Sequence, residues 1–301
     1  MKLLTHYQNA RKALQPEIIN WRENYINDSL FYSCRSTDYS RQTYPSTMHY
    51  HEYYELVIFL EGDIHYIFES EVYPVQYGDI ILIPPGKLHM SMINAETTRY
   101  KRHVFYLYPD AFDALGCSAL TDFLKKNEGR YLLTTLGQKD RQELFLLLDK
   151  LDEALKNPDN HLDRALGLGY IIQIFYLFNK ECFKERESKQ YLPENILEIQ
   201  HYLDEHFREI TSVAEVAAHF FYSREYVSRL FKQYFNTTVA DYIKMRRVAY
   251  SQTLITRGFP LSEVCFQAGF GNLTTFIRAF HSIVGMAPSQ YRKMFLENTD
   301  S

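Results

Sequence analysis

Between residues 31 and 108 the apolar positions alternate with polar ones or gather in brief runs, and from residue 139 onward they recur every three or four positions. The first pattern predicts strands at 55–60, 65–68, 72–76, 80–83 and 103–108, separated by breakers at Gly62, Gly78 and the Pro84, Pro85, Gly86 turn. Short strands at this spacing suggest a sandwich or barrel. The second pattern predicts a helix over 139–156, with Leu144, Leu147, Leu148, Leu151 and Leu155 on one stripe. A following helix over 163–183 is apolar around most of its circumference (Leu166, Leu168, Ile171, Ile172, Ile174, Phe175, Leu177, Phe178). One of its faces must therefore pack beyond its neighbour, and a second subunit is the natural candidate. The charged stretch 184–193, closed by Pro193, predicts an interdomain linker.

Beyond the linker one device occurs twice: a short amphipathic helix, a turn, and a second helix with an apolar back and an arginine-bearing front. Val213, Val216 and Ala217 mark the first helix of one copy, and Leu261, Val264 and Ala268 that of the other. The second helices open on the capping residues Ser223 and Asn272. In the first of these, Val227, Leu230 and Phe231 face inward, which leaves Arg224, Glu225, Ser228, Arg229 and Lys232 outside. Phe276, Ile277 and Phe280 include the core side of the second. Between the copies 239–257 reads as one helix, roughly 28 Å long at 1.5 Å per residue. One DNA turn is about 34 Å, so such a helix can act as a ruler between two major-groove readers. Arg246 and Arg247 on it suit phosphate contacts and local acids equally.

A net charge of -4 argues against a nucleic-acid partner until it is divided along the chain. Residues 210–296 hold ten Lys and Arg against four acids, so a basic end follows an acidic body. The four cysteines, Cys34, Cys117, Cys182 and Cys265, are too scattered for a disulfide framework or a Cys-based zinc site. A reducing cytoplasm is expected, with no signal peptide and no membrane partner: the apolar run 166–178 falls short of the roughly 20 residues a span needs. No nucleophile-base pair, phosphate loop or dinucleotide fingerprint is present, so the chain is not expected to be an enzyme and no cofactor is expected.

The second copy and the residues after it resemble the signature of the AraC family of bacterial transcription regulators. Gly269, Phe270, Phe276, Arg278, Phe280, Gly285, Pro288, Tyr291 and Arg292 all fall where that pattern expects them. His281 stands where the family usually has lysine, and Asn236 where a glycine commonly ends the first reading helix. The resemblance implies a DNA-binding regulator and an activator, with RNA polymerase as a partner. It implies base-edge roles for Glu225, Ser228, Arg229, Leu273, Thr274 and Arg278, and Arg224, Lys232 and Asn272 complete the expected DNA-binding set.

In the N-terminal half, His49, His51, Glu55 and Gly62, then Gly78, Pro84, Gly86 and His89, resemble the two motifs of the cupin β-barrel. Thr43 replaces the usual first glycine, and the closing asparagine, Asn94, lies one residue late. In metal-binding cupins this set would hold a divalent ion; in a regulator it lines a ligand pocket, which is the expectation here, without metal. His49, His51, Tyr53, Glu55 and His89 are the expected ligand-binding residues. Nearby tyrosines such as Tyr50, Tyr66 and Tyr73 suit a sugar or related small molecule.

The expected fold is α+β: a cupin-like barrel (1–136), a helical dimerisation segment (137–183), a linker (184–193) and an all-α tandem helix-turn-helix domain (194–301). The expected function is a ligand-responsive, homodimeric, sequence-specific DNA-binding regulator. The alternative is a metal-dependent cupin enzyme fused to a DNA-binding domain.

Overall fold

A computed structural model describes residues 22–38, 48–68, 71–94, 97–157, 160–180 and 192–296. Thr43, Cys182 and nearly all of the predicted linker lie outside the described residues.

The strands are β1 (Arg22–Asn27), β2 (Leu30–Asp38), β3 (Tyr54–Glu61), β4 (Ile64–Phe68), β5 (Glu71–Pro74), β6 (Asp79–Ile83), β7 (His89–Ile93), β8 (Arg99–Leu107) and β9 (Leu132–Thr135). They form a six-stranded sheet, β1-β2-β8-β3-β6-β9, facing a three-stranded one, β5-β4-β7. The large sheet is buried on both sides. Phe31, Val57, Phe59, Tyr100, Val104 and Tyr106 point toward the small sheet, whereas Tyr32, Leu56, Ile58, Phe105 and Leu107 point toward a helical layer. Double burial explains why β3 reads as an almost unbroken apolar run. Four strands lie outside the predicted set. They are β1, β2, β9 and β7, the last of which, with the sequence HMSMI, carries no β-branched residue before Ile93; its place comes from pairing with β4.

The helical layer comprises α1 (Asp122–Lys126), α2 (Gln138–Ala154) and α3 (His161–Lys180). On α3, Ile171, Ile174, Phe175 and Phe178 are buried, and Phe175 packs against Phe105, Phe112 and Phe123. The apolar circumference inferred from the sequence thus has an inner half that covers the sheet. Its outer half keeps Leu162, Leu166 and Tyr176 exposed.

The C-terminal unit runs α4 (Glu194–His206), α5 (Val213–His219), α6 (Arg224–Phe235), α7 (Val239–Thr256), α8 (Leu261–Gln267), α9 (Leu273–Val284) and α10 (Pro288–Leu296). The first part of α7 puts Val239, Tyr242 and Ile243 into a core with α4, α5 and α6. Its second part puts Val248, Leu254 and Ile255 into a core with α8, α9 and α10. One helix therefore crosses both halves. The end of α4 is gripped from two sides. Arg247 donates to the carbonyls of Phe207 (2.8 Å) and Ile210 (2.7 Å), satisfying acceptors that a helix end leaves free. Gly269, at φ 82°, lies so close that a Cβ there would stand 2.3 Å from the Arg208 carbonyl oxygen. Arg246 pairs with Asp204 at 3.1 Å. Both arginines thus serve the packing of α4 on α7.

The small sheet turns its outer face, with Ile67, Val72 and Met90, to the cluster that contains Ile196, Ile199 and Leu203 of α4. The barrel and the DNA-binding unit thus share an apolar contact.

Candidate nucleic-acid interface and sensor site

Each predicted reading helix is capped as its sequence requires. Ser223 Oγ accepts from the Tyr226 amide at 3.1 Å, and Asn272 Oδ1 from the Thr275 amide at 2.8 Å. In α6 the buried positions are Val227, Leu230, Phe231 and Phe235, so Arg224, Glu225, Ser228, Arg229 and Lys232 form an exposed face. Lys232 also donates to the Asn236 carbonyl at 3.0 Å and so helps to close its own helix. Asn236 adopts φ 50°, the left-handed end that glycine would supply. In α9, Asn272, Leu273, Thr274 and Arg278 are exposed and Phe276, Ala279 and Phe280 are buried. Ile277 departs from the expected core side and is exposed beside Leu273. These two add apolar surface suited to a thymine methyl group. α7 spans 18 residues, about 27 Å at the helical rise.

In the barrel, the two predicted motifs meet. The amide of each of His49 and His89 donates to the carbonyl of the other, at 3.0 and 2.9 Å, and the Gly86 amide donates to the His51 carbonyl at 2.8 Å. His51 Nε2 lies 2.9 Å from Glu55 Oε2, and its Nδ1 lies 2.7 Å from the Tyr53 carbonyl. Both partners are acceptors, so the ring serves both only when it carries two protons. Burial alone would raise the Glu55 carboxyl, but hydrogen bonds from His51 and His89 outweigh it and hold the group well below the usual range. Burial lowers His89, against the opposing pull of Glu55. His89 Nδ1 lies 2.9 Å from the Lys87 carbonyl, and its Nε2 lies 3.5 Å from Glu55 Oε2. His49, Glu55 and His89 each offer an atom within 4.8 Å of the others, so the group suits either a hydrogen-bonding ligand or a metal ion. His49 is exposed, and His51, Tyr53, Glu55 and His89 are buried.

Sequence reasoning missed three features. Arg35 lies over the Tyr106 ring at 5.1 Å and Arg102 over Tyr100 at 3.9 Å, which brings two cations to the aromatic side of the barrel. Their alternate placement on strands of unknown pairing gave no signal. The third is Glu52, between two motif residues, which reaches across to the DNA-binding unit. Burial pushes its carboxyl up to about 7, against the lowering effect of Tyr291 and Gln252. A cleft of about 670 Å³ opens elsewhere, between β5 and the first reading unit, with Glu71, Glu198, His201, Tyr202 and Phe220 in its lining. It shares no residue with the histidine cluster.

Two capped, arginine-bearing helices on one connecting helix, behind a two-sheet barrel, define a helix-turn-helix transcription regulator with a cupin sensor module. Residues 216–294 match the helix-turn-helix domain model and residues 40–101 the cupin domain model. This pairing of domains is similar to that of AraC-type regulators. It is 22% identical to the uncharacterized HTH-type regulator YfiF of Bacillus subtilis, over 98% of this chain and 93% of that protein. It is 21% identical to the HTH-type transcriptional activator RhaR of Mannheimia succiniciproducens, over 84% and 89%. Among solved structures, ToxT from Vibrio cholerae is 16% identical over 89% of this chain and 99% of that one, with a TM-score of 0.34. No helix among the described residues is long and apolar enough to cross a membrane.

Proposed function

We propose that this chain is a cytoplasmic, homodimeric activator that reads two successive major grooves through α6 and α9 and responds to a small polar effector in the barrel. One observation carries the DNA-reading part: Arg229 and Arg278 stand exposed on capped helices joined by a single helix of 18 residues. Arg229 suits guanine O6 and N7, and Glu225 a cytosine amino group. His51, Glu55 and His89, with Arg35 and Arg102 nearby, supply the donors and acceptors for a sugar-like or acidic small molecule, and Tyr53 and Tyr106 supply stacking surface. His49 stands at the exposed edge of the group. The exposed row on α3 supports a dimer, and a relative that is a transcriptional activator supports RNA polymerase as a partner. The domain limits at residues 136, 183 and 193 belong to this reading.

A genome-wide binding map with and without candidate sugars tests the reading. Effector-dependent occupancy of a defined sequence supports it, and sequence-independent binding under all conditions overturns it. The grouping of His49, Glu55 and His89 favours one second reading, a metal-dependent cupin activity. One equivalent of bound iron, manganese, nickel or zinc, with turnover of a small substrate, would establish that instead.

A further inference from the structure

A second cluster of donor side chains lies on the opposite face of the large sheet. Cys34 on β2 is the direct register partner of His103 on β8, and both point away from the barrel interior, toward α2. Asp152 comes down from α2 onto them. Cys34, His103 and Asp152 each offer one ligand atom, and these three atoms all lie within 4.8 Å of one another. Tyr32, two residues before Cys34 on the same face, completes the group. Its hydroxyl lies 2.7 Å from His103 Nδ1 and donates to Asp152 Oδ1. A hydroxyl has a single proton to give, so His103 Nδ1 is the donor toward Tyr32, and the imidazole then carries its lone pair on Nε2. Burial lowers His103, which keeps the ring in the neutral form a metal requires.

We propose that Cys34, His103 and Asp152 form a binding site for a thiophilic divalent ion, Zn²⁺ in particular, that ties α2 to the large sheet. One sulfur, one nitrogen and one carboxylate oxygen form a donor set that zinc accepts in four-coordinate geometry. Zn–S near 2.3 Å and Zn–N near 2.0 Å imply ligand–ligand separations of roughly 3.3–3.7 Å in a tetrahedron. The three ligand atoms all lie within 4.8 Å of one another, so closure asks for side-chain movements of about an ångström. Cys34 is half-buried, which leaves a route for the ion and an open fourth position for water. Binding deprotonates the Cys34 thiol and releases that proton to solvent, with no change of oxidation state. Tyr32 acts as an outer partner that orients Asp152 and His103. The site shares no residue with the His49, Glu55 and His89 group, which has no sulfur donor. Its regulatory consequence rests on the reading above: the ion would fix the helix on which α3 packs. Its existence does not depend on that reading.

Titration of the full chain with Co²⁺ tests the site. One equivalent should produce a thiolate-to-cobalt charge-transfer band together with tetrahedral d–d bands, all erased by Zn²⁺. Cys34→Ser should remove the charge-transfer band. Asp152→Asn, whose amide oxygen still accepts from Tyr32, should preserve the fold and weaken affinity at least tenfold. Tyr32→Phe should weaken it roughly 10- to 100-fold. His89→Ala should leave the band unchanged. Absence of a thiolate band at stoichiometric Co²⁺ overturns the proposal, as does a band that survives Cys34→Ser or an affinity indifferent to Asp152→Asn. Operator binding measured on the same samples separates the two readings: if it persists while the band is absent, only the metal site falls.

Discussion

Tyr291, a residue of the AraC-type signature on α10, donates its hydroxyl proton to the carboxylate of Glu52, a barrel residue between His51 and Tyr53. A side chain of the DNA-binding unit is thereby bonded one residue away from the histidine cluster.

Because burial raises Glu52 to about 7, its protonated form fits this junction better than the carboxylate does. The sign follows from linkage: the stabilisation is complete below about 4.5, the ordinary value, and is lost as pH rises through about 7. The span corresponds to a few kcal/mol at most. Thermal denaturation of the full chain should show stability falling between pH 5 and 8 by an amount that Glu52→Gln removes. An unchanged pH slope in that variant would refute the role.

On DNA, Arg229→Ala and Arg278→Ala should each cost about 1–3 kcal/mol on the specific site and relax the base preference there. Titration at fixed salt reads this directly. Lys232→Ala should weaken all sequences alike and lower the melting temperature slightly, because Lys232 also closes α6 through Asn236. Unaltered affinity and preference in the Arg229, Arg278 double variant would remove α6 and α9 from recognition.

For assembly, the informative positions are Leu166 and Tyr176, both exposed on α3. Their joint replacement by glutamate should weaken a dimer at micromolar concentration without lowering monomer stability, as light scattering and melting curves would record. Phe175 behaves differently. It lies in the core against Phe105, Phe112 and Phe123, so Phe175→Ala should destabilise the fold by about 3–5 kcal/mol. A monomeric native chain would defeat the assembly claim.

In the barrel, Glu55→Ala leaves His51 and His89 without their shared acceptor. It should abolish the effector response while basal DNA binding persists, a combination that a reporter assay and a gel shift together measure. Since Glu55 is held low, its contribution to stability is present above about 4.5 and fades as pH falls through its folded value. A full effector response in this variant would mean that the ligand sits elsewhere.

Much of this was legible in the chain because local pattern and tertiary role agree. Val227, Leu230 and Phe231 had to be the inner face of α6, since no other face of a 3.6-residue period is apolar. The cupin residues could be grouped through their resemblance to the two cupin motifs. Other features needed the third dimension. Arg246 and Arg247 suit phosphate contacts and local acids equally until Asp204 and the end of α4 are seen beside them. Glu52 resembles any exposed acid, and only the position of α10 gives it a partner. Phe175 and Tyr176 are neighbours in an apolar helix, and which of them faces inward depends on where the sheet lies.

The grip of Arg247 and Gly269 on the end of α4 ties the second helix-turn-helix unit to the first. On the reading proposed above, a signal that arrives through the barrel would tilt or release them together. A base pair inserted between the two subsites would then be as damaging as a mutation inside either of them.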